Sequence, residues 1–417
     1  MSGGPDPAGP AWRRLTAHRR WLDDEFVRLL GFPTEPRHPD GGFAWLDATG
    51  HPDTRQPVHT WIAARMTHVH ALAHLRGLPG SGPLVDHGVD ALRGLLRDPF
   101  HGGWVTHSGP DGQRKDAYTH AFVVLAASSA TAAGRPGTRA LLDDALGVLA
   151  DRFLERSSGL VTESFAADWT DEEAYRGANS NMHTVEALLA AGDVTGEPAW
   201  HGHALGIASF LVDDVARAHG WRLIEHFDRG WAPQPEYRVD EPDHPFRPYG
   251  TTVGHWLEWA RLLLHLEASL DEPPRWLAEA AQALFAASVE AGWQSDGVPG
   301  FPYTLGWRDE PVVCARLHWV VAEAIGAAAA LHERTGHPSY ETWYRTFWDH
   351  AARYFIDPVH GSWHHELTPD LQVAAGTWSG KPDLYHAAQA CLLPQARLAP
   401  ALAPQLAEPA VAEPAGR

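Results

Sequence analysis

Along most of the chain apolar residues return every three to four positions, and Gly- and Pro-rich polar stretches interrupt them. That spacing predicts helices at 12–30, 57–76, 83–97, 116–132, 138–155, 177–191, 197–218, 250–268, 274–291, 312–333, 339–355 and 382–395. Breakers stand where helices should end: Gly77, Gly80 and Gly82 after the second, Gly134 and Pro136 after the fourth, Gly336 and Pro338 after the tenth. Alternation of the strand type is confined to short segments such as Val105-Thr106-His107 and Trp363-His364-His365-Glu366, which read as small hairpins.

The pattern repeats. A Gly followed by a large apolar residue and a turn-rich stretch recurs six times, at Gly42-Phe43, Gly103-Trp104, Gly159-Leu160, Gly220-Trp221, Gly300-Phe301 and, one residue looser, Gly361-Ser362-Trp363. The intervals between the large residues are 61, 56, 61, 80 and 62, each the length of one helix pair with its loops. Six helical hairpins without an atypical capping repeat favour a closed ring, an all-α (α/α)6 barrel with short β-hairpin loops at one end. The expected organisation is a disordered tail over 1–10, one catalytic domain over 11–397, and an Ala/Pro-rich tail over 398–417 in which Pro prevents a helix.

Composition narrows the function. The 33 Lys+Arg against 52 Asp+Glu give a formal charge of −19, which argues against nucleic acid or an anionic membrane as partner. No leader-like or membrane-spanning apolar run is evident, and two distant cysteines, Cys314 and Cys391, make neither a disulfide framework nor a zinc pattern, so a reducing cytoplasm is expected. The 19 Trp and 27 His are consistent with a surface for a sugar, whose C–H patches lie on aromatic faces, but equally with a large core. Only two lysines occur, Lys115 and Lys381. A Schiff-base lysine wants a desolvated site, whereas Lys381 flanks Gly and Pro in a turn, so an ion pair with an Asp is expected for it.

One polar residue also recurs near the start of each alternate helix: Arg65, His120, His183, His255, His318 and His386. Six inner helices would bring these to one end of a ring and line a central pocket. His183 with Glu186, and His255 with Glu258, put an acid one helical turn after an imidazole on the same face, an arrangement that orients the ring and raises its basicity. The same spacing would suit a metal, but no His-Glu-x-x-His string is present and no metal is expected. His364-His365-Glu366 is a poor ligand set, although one member can edge the pocket. Trp61 and Arg65 share a helical face and read as a sugar contact or a buried cation–π pair. No phosphate loop, dinucleotide fingerprint or nucleophile elbow is found.

The ordered motifs Trp61-Ile-Ala-Ala-Arg65-Met, Tyr118-Thr-His120-Ala-Phe122, Asn179-Ser-Asn-Met-His183-Thr-Val-Glu186-Ala, Gly254-His255-Trp-Leu-Glu258-Trp259 and Trp378-Ser-Gly-Lys381-Pro-Asp-Leu-Tyr385-His386 resemble the N-acylglucosamine 2-epimerase superfamily. Within it they are most similar to the mannose isomerase and aldose–ketose isomerase branch, to which the Gly-Lys-Pro-Asp-x-Tyr-His string points. The resemblance spans about residues 12 to 395. It implies an (α/α)6 barrel that interconverts sugars at C1 and C2 with no metal or redox cofactor, D-mannose to D-fructose being the leading reaction. It further implies that His255 and His386 are the acid/base pair, that Glu258 supports His255, that His183 assists ring opening or polarises an oxygen, and that Arg65 orients substrate oxygens. Trp61, Tyr118, His120, Asn179, His318, Trp319, Trp378 and Asp383 would complete the sugar cradle.

The expected partner is therefore a monosaccharide, bound by a monomer or homodimer. A 2-epimerase of the N-acetylglucosamine or cellobiose type is the nearest alternative, because a second acid on the opposite face of the same enediol changes the outcome. An α/α-toroid glycoside hydrolase would need two carboxylates across the pocket, where this chain supplies mainly His. A non-catalytic sugar binder would keep ligand affinity without His386.

Overall fold

A computed structural model of the chain describes residues 9–374, 376–377 and 379–408. Twelve long helices alternate between two layers. The outer layer holds α1 (Thr16–Leu30), α3 (Ser81–Arg93), α5 (Thr138–Val148), α7 (Ala199–Ala208), α9 (Trp276–Gly292) and α11 (Pro338–His350). The inner layer holds α2 (Thr60–Leu75), α4 (Ala117–Ala132), α6 (Ala178–Thr195), α8 (Val253–Ser269), α10 (His318–Thr335) and α12 (Tyr385–Leu392).

The sequence explains the layering. Inner helices such as α2 and α4 have apolar residues on every face rather than along one stripe and are buried almost throughout, whereas α3 and α5 bury one stripe. Each inner helix packs on the outer helix of its hairpin and on the next inner helix: α2 on α4, α4 on α6, α6 on α8, α8 on α10, α10 on α12, and α12 on α2. The final turns of α5, α7 and α11 widen into π geometry over 149–153, 209–216 and 351–355.

The strands are fewer and less local than expected. Val105-Thr106-His107 forms only a bridge between His107 and His59, and Glu366–Leu367 pairs with Arg316–Leu317 in addition to a bridge from Leu367 to Val373 in its own loop. Likewise Lys115–Asp116 pairs with Ser164–Phe165, Arg176–Gly177 with His226–Phe227, and Thr251–Thr252 with Thr304–Leu305. These antiparallel pairs join consecutive repeats at the N-terminal ends of the inner helices. Their backbone groups are thus satisfied between neighbours, and the loops are locked in register around the site.

A recurrent ion pair secures the same end. Asp98 accepts from the amides of Phe100 and His101 (2.8 and 3.1 Å) and from Lys115 Nζ (2.7 Å), and Asp357 accepts from the amides of Val359 and His360 (2.8 and 3.1 Å) and from Lys381 Nζ (2.6 Å). Lys381 therefore forms the ion pair expected of it, and both lysines of the chain do the same work 266 residues apart, in different repeats. Asp296 with Arg316 and Glu155 with Arg176 play the part in other repeats.

The C-terminal segment departs from expectation. Instead of a tail from 398, residues Leu402–Ala407 form a further helix, α13, with Leu402 and Ala403 buried and the helix set against α2, α4 and α6. Pro404 falls in the first turn, where its missing N–H costs no helical hydrogen bond. The Ala401 amide donates to Asp193 (2.6 Å), and His265 Nδ1 meets Leu398 O at 2.6 Å. Among the described residues no helix is long and apolar enough to cross a membrane.

Candidate active site

At the N-terminal ends of the inner helices an open cavity is lined by Trp61, Arg65, Tyr118, Asn179, His183, Pro245, Phe246, His255, Glu258, Tyr303, His318, Trp319, His365, Pro382, Asp383 and His386. Helix geometry puts them there, since each inner helix contributes its first turns to this end. Nearly every residue singled out from the sequence is among them. Trp378 lies outside the described residues.

His120 is the exception. It points away from the cavity: its Nε2 accepts from the Trp104 amide (3.0 Å), its Nδ1 meets Asp116 O (2.7 Å), and its ring packs on Phe153 at 4.6 Å. Burial depresses its pKa to about 3, so it is a neutral structural imidazole. The polar group that α4 gives the pocket is Tyr118, two residues earlier. Two residues turn a helix by ~200°, so the shared repeat spacing of His120 misreported its face.

The two imidazoles of the pocket centre each have their own carboxylate. His255 Nδ1 lies 2.9 Å from Glu225 Oε2, and His386 Nδ1 lies 3.0 Å from Glu323 Oε1. Glu225 is itself held by the Thr252 amide (3.2 Å), and Glu323 by Arg261 Nε (3.0 Å). A neutral ring that donates Nδ1–H to a carboxylate keeps its lone pair on Nε2. The Trp319 ring packs against both, with centroids 5.2 Å from His255 and 5.8 Å from His386. Burial, then the charge of Arg65 and the neighbouring His318, holds His386 well below the ordinary imidazole range.

The partner of His255 is therefore Glu225, not Glu258 as the resemblance implied. Glu258 belongs to a deeper web. His183 Nδ1 stands 3.7 Å from both Glu186 and Glu258, and Arg261 Nη2 stands 3.8 Å from Glu186 and 3.7 Å from Glu258. Glu186 accepts from the Tyr385 hydroxyl and from Gln389 Nε2 (3.0 Å). Burial and the nearby Glu323 raise the Glu258 carboxyl well above its usual range, and burial lowers His183 to about 4.

On the α2 side, Arg65 donates to Asp383 Oδ2 (3.2 Å) and to the Tyr118 hydroxyl (2.9 Å). Its guanidinium carbon lies 5.0 Å from the Trp61 ring centroid and 4.4 Å from that of Phe122, so the cation–π pair read from this helical face is present. Opposite it, His318 stacks on His365 at 3.8 Å. The mouth is edged by Pro245 and Phe246 from the stretch 228–250, which accounts for the one long interval of the repeat. Arg247 beside them anchors this stretch through Glu173 at 2.6 Å.

Glu225, Glu323, Arg261, Tyr303 and Phe246 were not evident from the sequence. For Glu225 a signal existed: a Glu follows the large residue of the repeat by three or four positions at Glu163, Glu225 and Glu366. Glu323 and Arg261 carried none that the repeat spacing would reveal.

Residues 41–390 match the family model described as N-acylglucosamine 2-epimerase. A D-mannose isomerase of Thermobifida fusca is 58% identical over 401 residues, covering 95% of this chain and 98% of that protein. A D-mannose isomerase of Pseudomonas cannabina pv. alisalensis is 49% identical over 403 residues, covering 95% and 97%. A crystal structure of a D-mannose isomerase superposes with a TM-score of 0.85 at 26% identity, covering 93% of this chain and 99% of that one. The cellobiose 2-epimerase of Spirochaeta thermophila DSM 6192, at a TM-score of 0.79 and 24% identity over 92% and 98%, shares the fold.

Proposed function

The chain belongs to the N-acylglucosamine 2-epimerase family, and we propose that it is an aldose–ketose isomerase that interconverts D-mannose and D-fructose. The observation that carries this reading is the pair of imidazoles, His255 with Glu225 and His386 with Glu323, on one Trp319 ring in one pocket. The helical contacts that run from α2 through the inner layer and return from α12 to α2 support reading the fold as a closed (α/α)6 barrel.

In the open-chain aldose the C2 proton is too weakly acidic for an unaided imidazole, so charge on the developing oxyanion must be met by fixed donors. Arg65 and His183 supply them. One imidazole of the pair takes the C2 proton through Nε2 as the aldehyde oxygen O1 gains a proton, which gives the cis-enediol; return of a proton to C1 as the O2 proton leaves then gives the ketose. The other imidazole serves the oxygens, opening the ring and moving the hydroxyl proton. Trp61, Tyr118, Asn179, Trp319 and Asp383 hold the sugar. The reaction is read as metal-free: the closest set of candidate ligands among the described residues, His183, Glu186 and Glu258, shares its space with the Arg261 guanidinium, which repels a dication.

The test is a proton NMR time course of the EDTA-treated protein with D-mannose in D2O. Fructose carrying deuterium at C1 is the expected product. Glucose as the first product would replace isomerase by 2-epimerase, and activity abolished by EDTA and restored by zinc would overturn the metal-free mechanism.

A further inference from the structure

We propose that a single buried water, shared by His183 Nδ1, Glu258 Oε1 and Arg261 Nη2, fixes His183 as the tautomer that offers Nε2–H to the substrate, with Glu258 as the positioning residue that orients this water. The inference deepens the isomerase reading and rests on it for its kinetic consequence, not for the water itself.

The geometry is specific. The three atoms have no protein hydrogen-bond partner, and their residues are only 5%, 1% and 3% exposed. Leaving such atoms unpaired in a protein interior is costly. Glu258 Oε1 is 3.7 Å from His183 Nδ1 and 3.7 Å from Arg261 Nη2. Those separations are too long for direct hydrogen bonds and short enough to be bridged by one water at ~2.8 Å from each. Glu186 closes the fourth side but is already engaged by Tyr385 and Gln389. A metal ion would sit among two carboxylates and an imidazole, yet the guanidinium faces the same space, so water is the occupant that satisfies all three groups.

The direction of the hydrogen bonds follows from donor counting. Arg261 can only donate. A protonated Glu258 also donates, which fills both lone pairs of the water and leaves its hydrogens for acceptors alone. His183 Nδ1 must then accept, and its proton stands on Nε2, where the ring lines the pocket. Burial and the surrounding acids favour that protonated carboxyl. The groups that face Glu258 are His183 and Glu186 from α6, Arg261 from its own helix, Glu323 from α10, Arg65 from α2, and the phenols Tyr118 and Tyr385. When Glu258 ionises at high pH the water is free to turn and the wrong tautomer is admitted, so turnover should fall on the alkaline side.

Two measurements test this. Crystals of the substrate-free protein grown with EDTA, and in parallel with zinc, are expected to show one peak without anomalous signal at ~2.8 Å from all three atoms. An anomalous peak at ~2.0–2.1 Å from His183 and Glu258, or three atoms paired among themselves with no peak, overturns the proposal. In kinetics, Glu258→Leu should lower kcat ~100-fold with little change in KM, while Glu258→Gln, whose amide always donates, should keep a tenth of the activity or more and lose the alkaline limb of the pH–rate profile. Equal loss in both variants, or an unchanged limb in E258Q, overturns it. The crystallographic result stands whether or not mannose is the substrate.

Discussion

Glu225 Oε2 sits 2.9 Å from Nδ1 of His255 and reaches it from the segment before the strand His226–Phe227, thirty residues upstream. A carboxylate in this position fixes the ring's orientation and stabilises the imidazolium that forms when Nε2 takes a proton. Glu225→Ala is expected to lower kcat by about 10²-fold with KM nearly unchanged, measured by steady-state fructose formation from mannose. Glu258→Ala made for comparison should leave the Nδ1 contact of His255 intact.

Gly254 permits the contact between Trp319 and the imidazole pair. A Cβ at this position would come within 2.3 Å of Trp319 Cζ3 and 2.5 Å of Cη2, ring atoms that cannot swing aside without leaving His255 and His386. Displacing a catalytic group by about 1 Å costs on the order of 10²-fold. Gly254→Ala should show that loss in kcat while its melting temperature changes by only a few degrees, read by circular dichroism.

Asp383 holds a buried cation. It accepts from Arg65 Nη1 at 3.2 Å and from the Tyr385 amide at 2.8 Å, and both charged residues are nearly inaccessible. Removing one partner of a buried ion pair strands the other charge, at about 3–5 kcal/mol. Asp383→Ala is expected to lower the unfolding free energy obtained from urea titration by that amount, and a loss below about 1 kcal/mol would show that Arg65 finds another anion.

Several imidazoles are buried as neutral groups: burial lowers His68, His70, His183, His265 and His318 to about 4. In the unfolded chain they titrate near 6.5. Between these values the unfolded state binds protons that the folded state refuses, so stability rises with pH there and is lost as pH falls from about 6.5 to about 4. A plot of melting temperature against pH should therefore be nearly flat above 7 and drop steeply below 6. His183→Asn, which removes one such group, should make the drop shallower.

The sequence by itself determined the helical hairpins, their sixfold repeat and the end of the fold at which the site forms. Hydrophobic period and glycine punctuation are local properties, and a repeat carries them from one hairpin to the next. His255, His386, Arg65 and Asp383 were legible for the same reason, each standing at a fixed offset in an inner helix. Only tertiary structure decided who pairs with whom. Glu225 and Glu323 reach their imidazoles across loops and between helices, whereas the acid one turn along, Glu258, faces Arg261 and His183 instead. His120 kept the spacing and lost the pocket because a helix face is set by packing, and α13 formed where composition argued for a tail because Leu402 and Ala403 found apolar cover. Periodicity fixes which residues lie on an inner helix, but the rotation of that helix, and the charges its neighbours bring within 3 Å, are set by the packed whole.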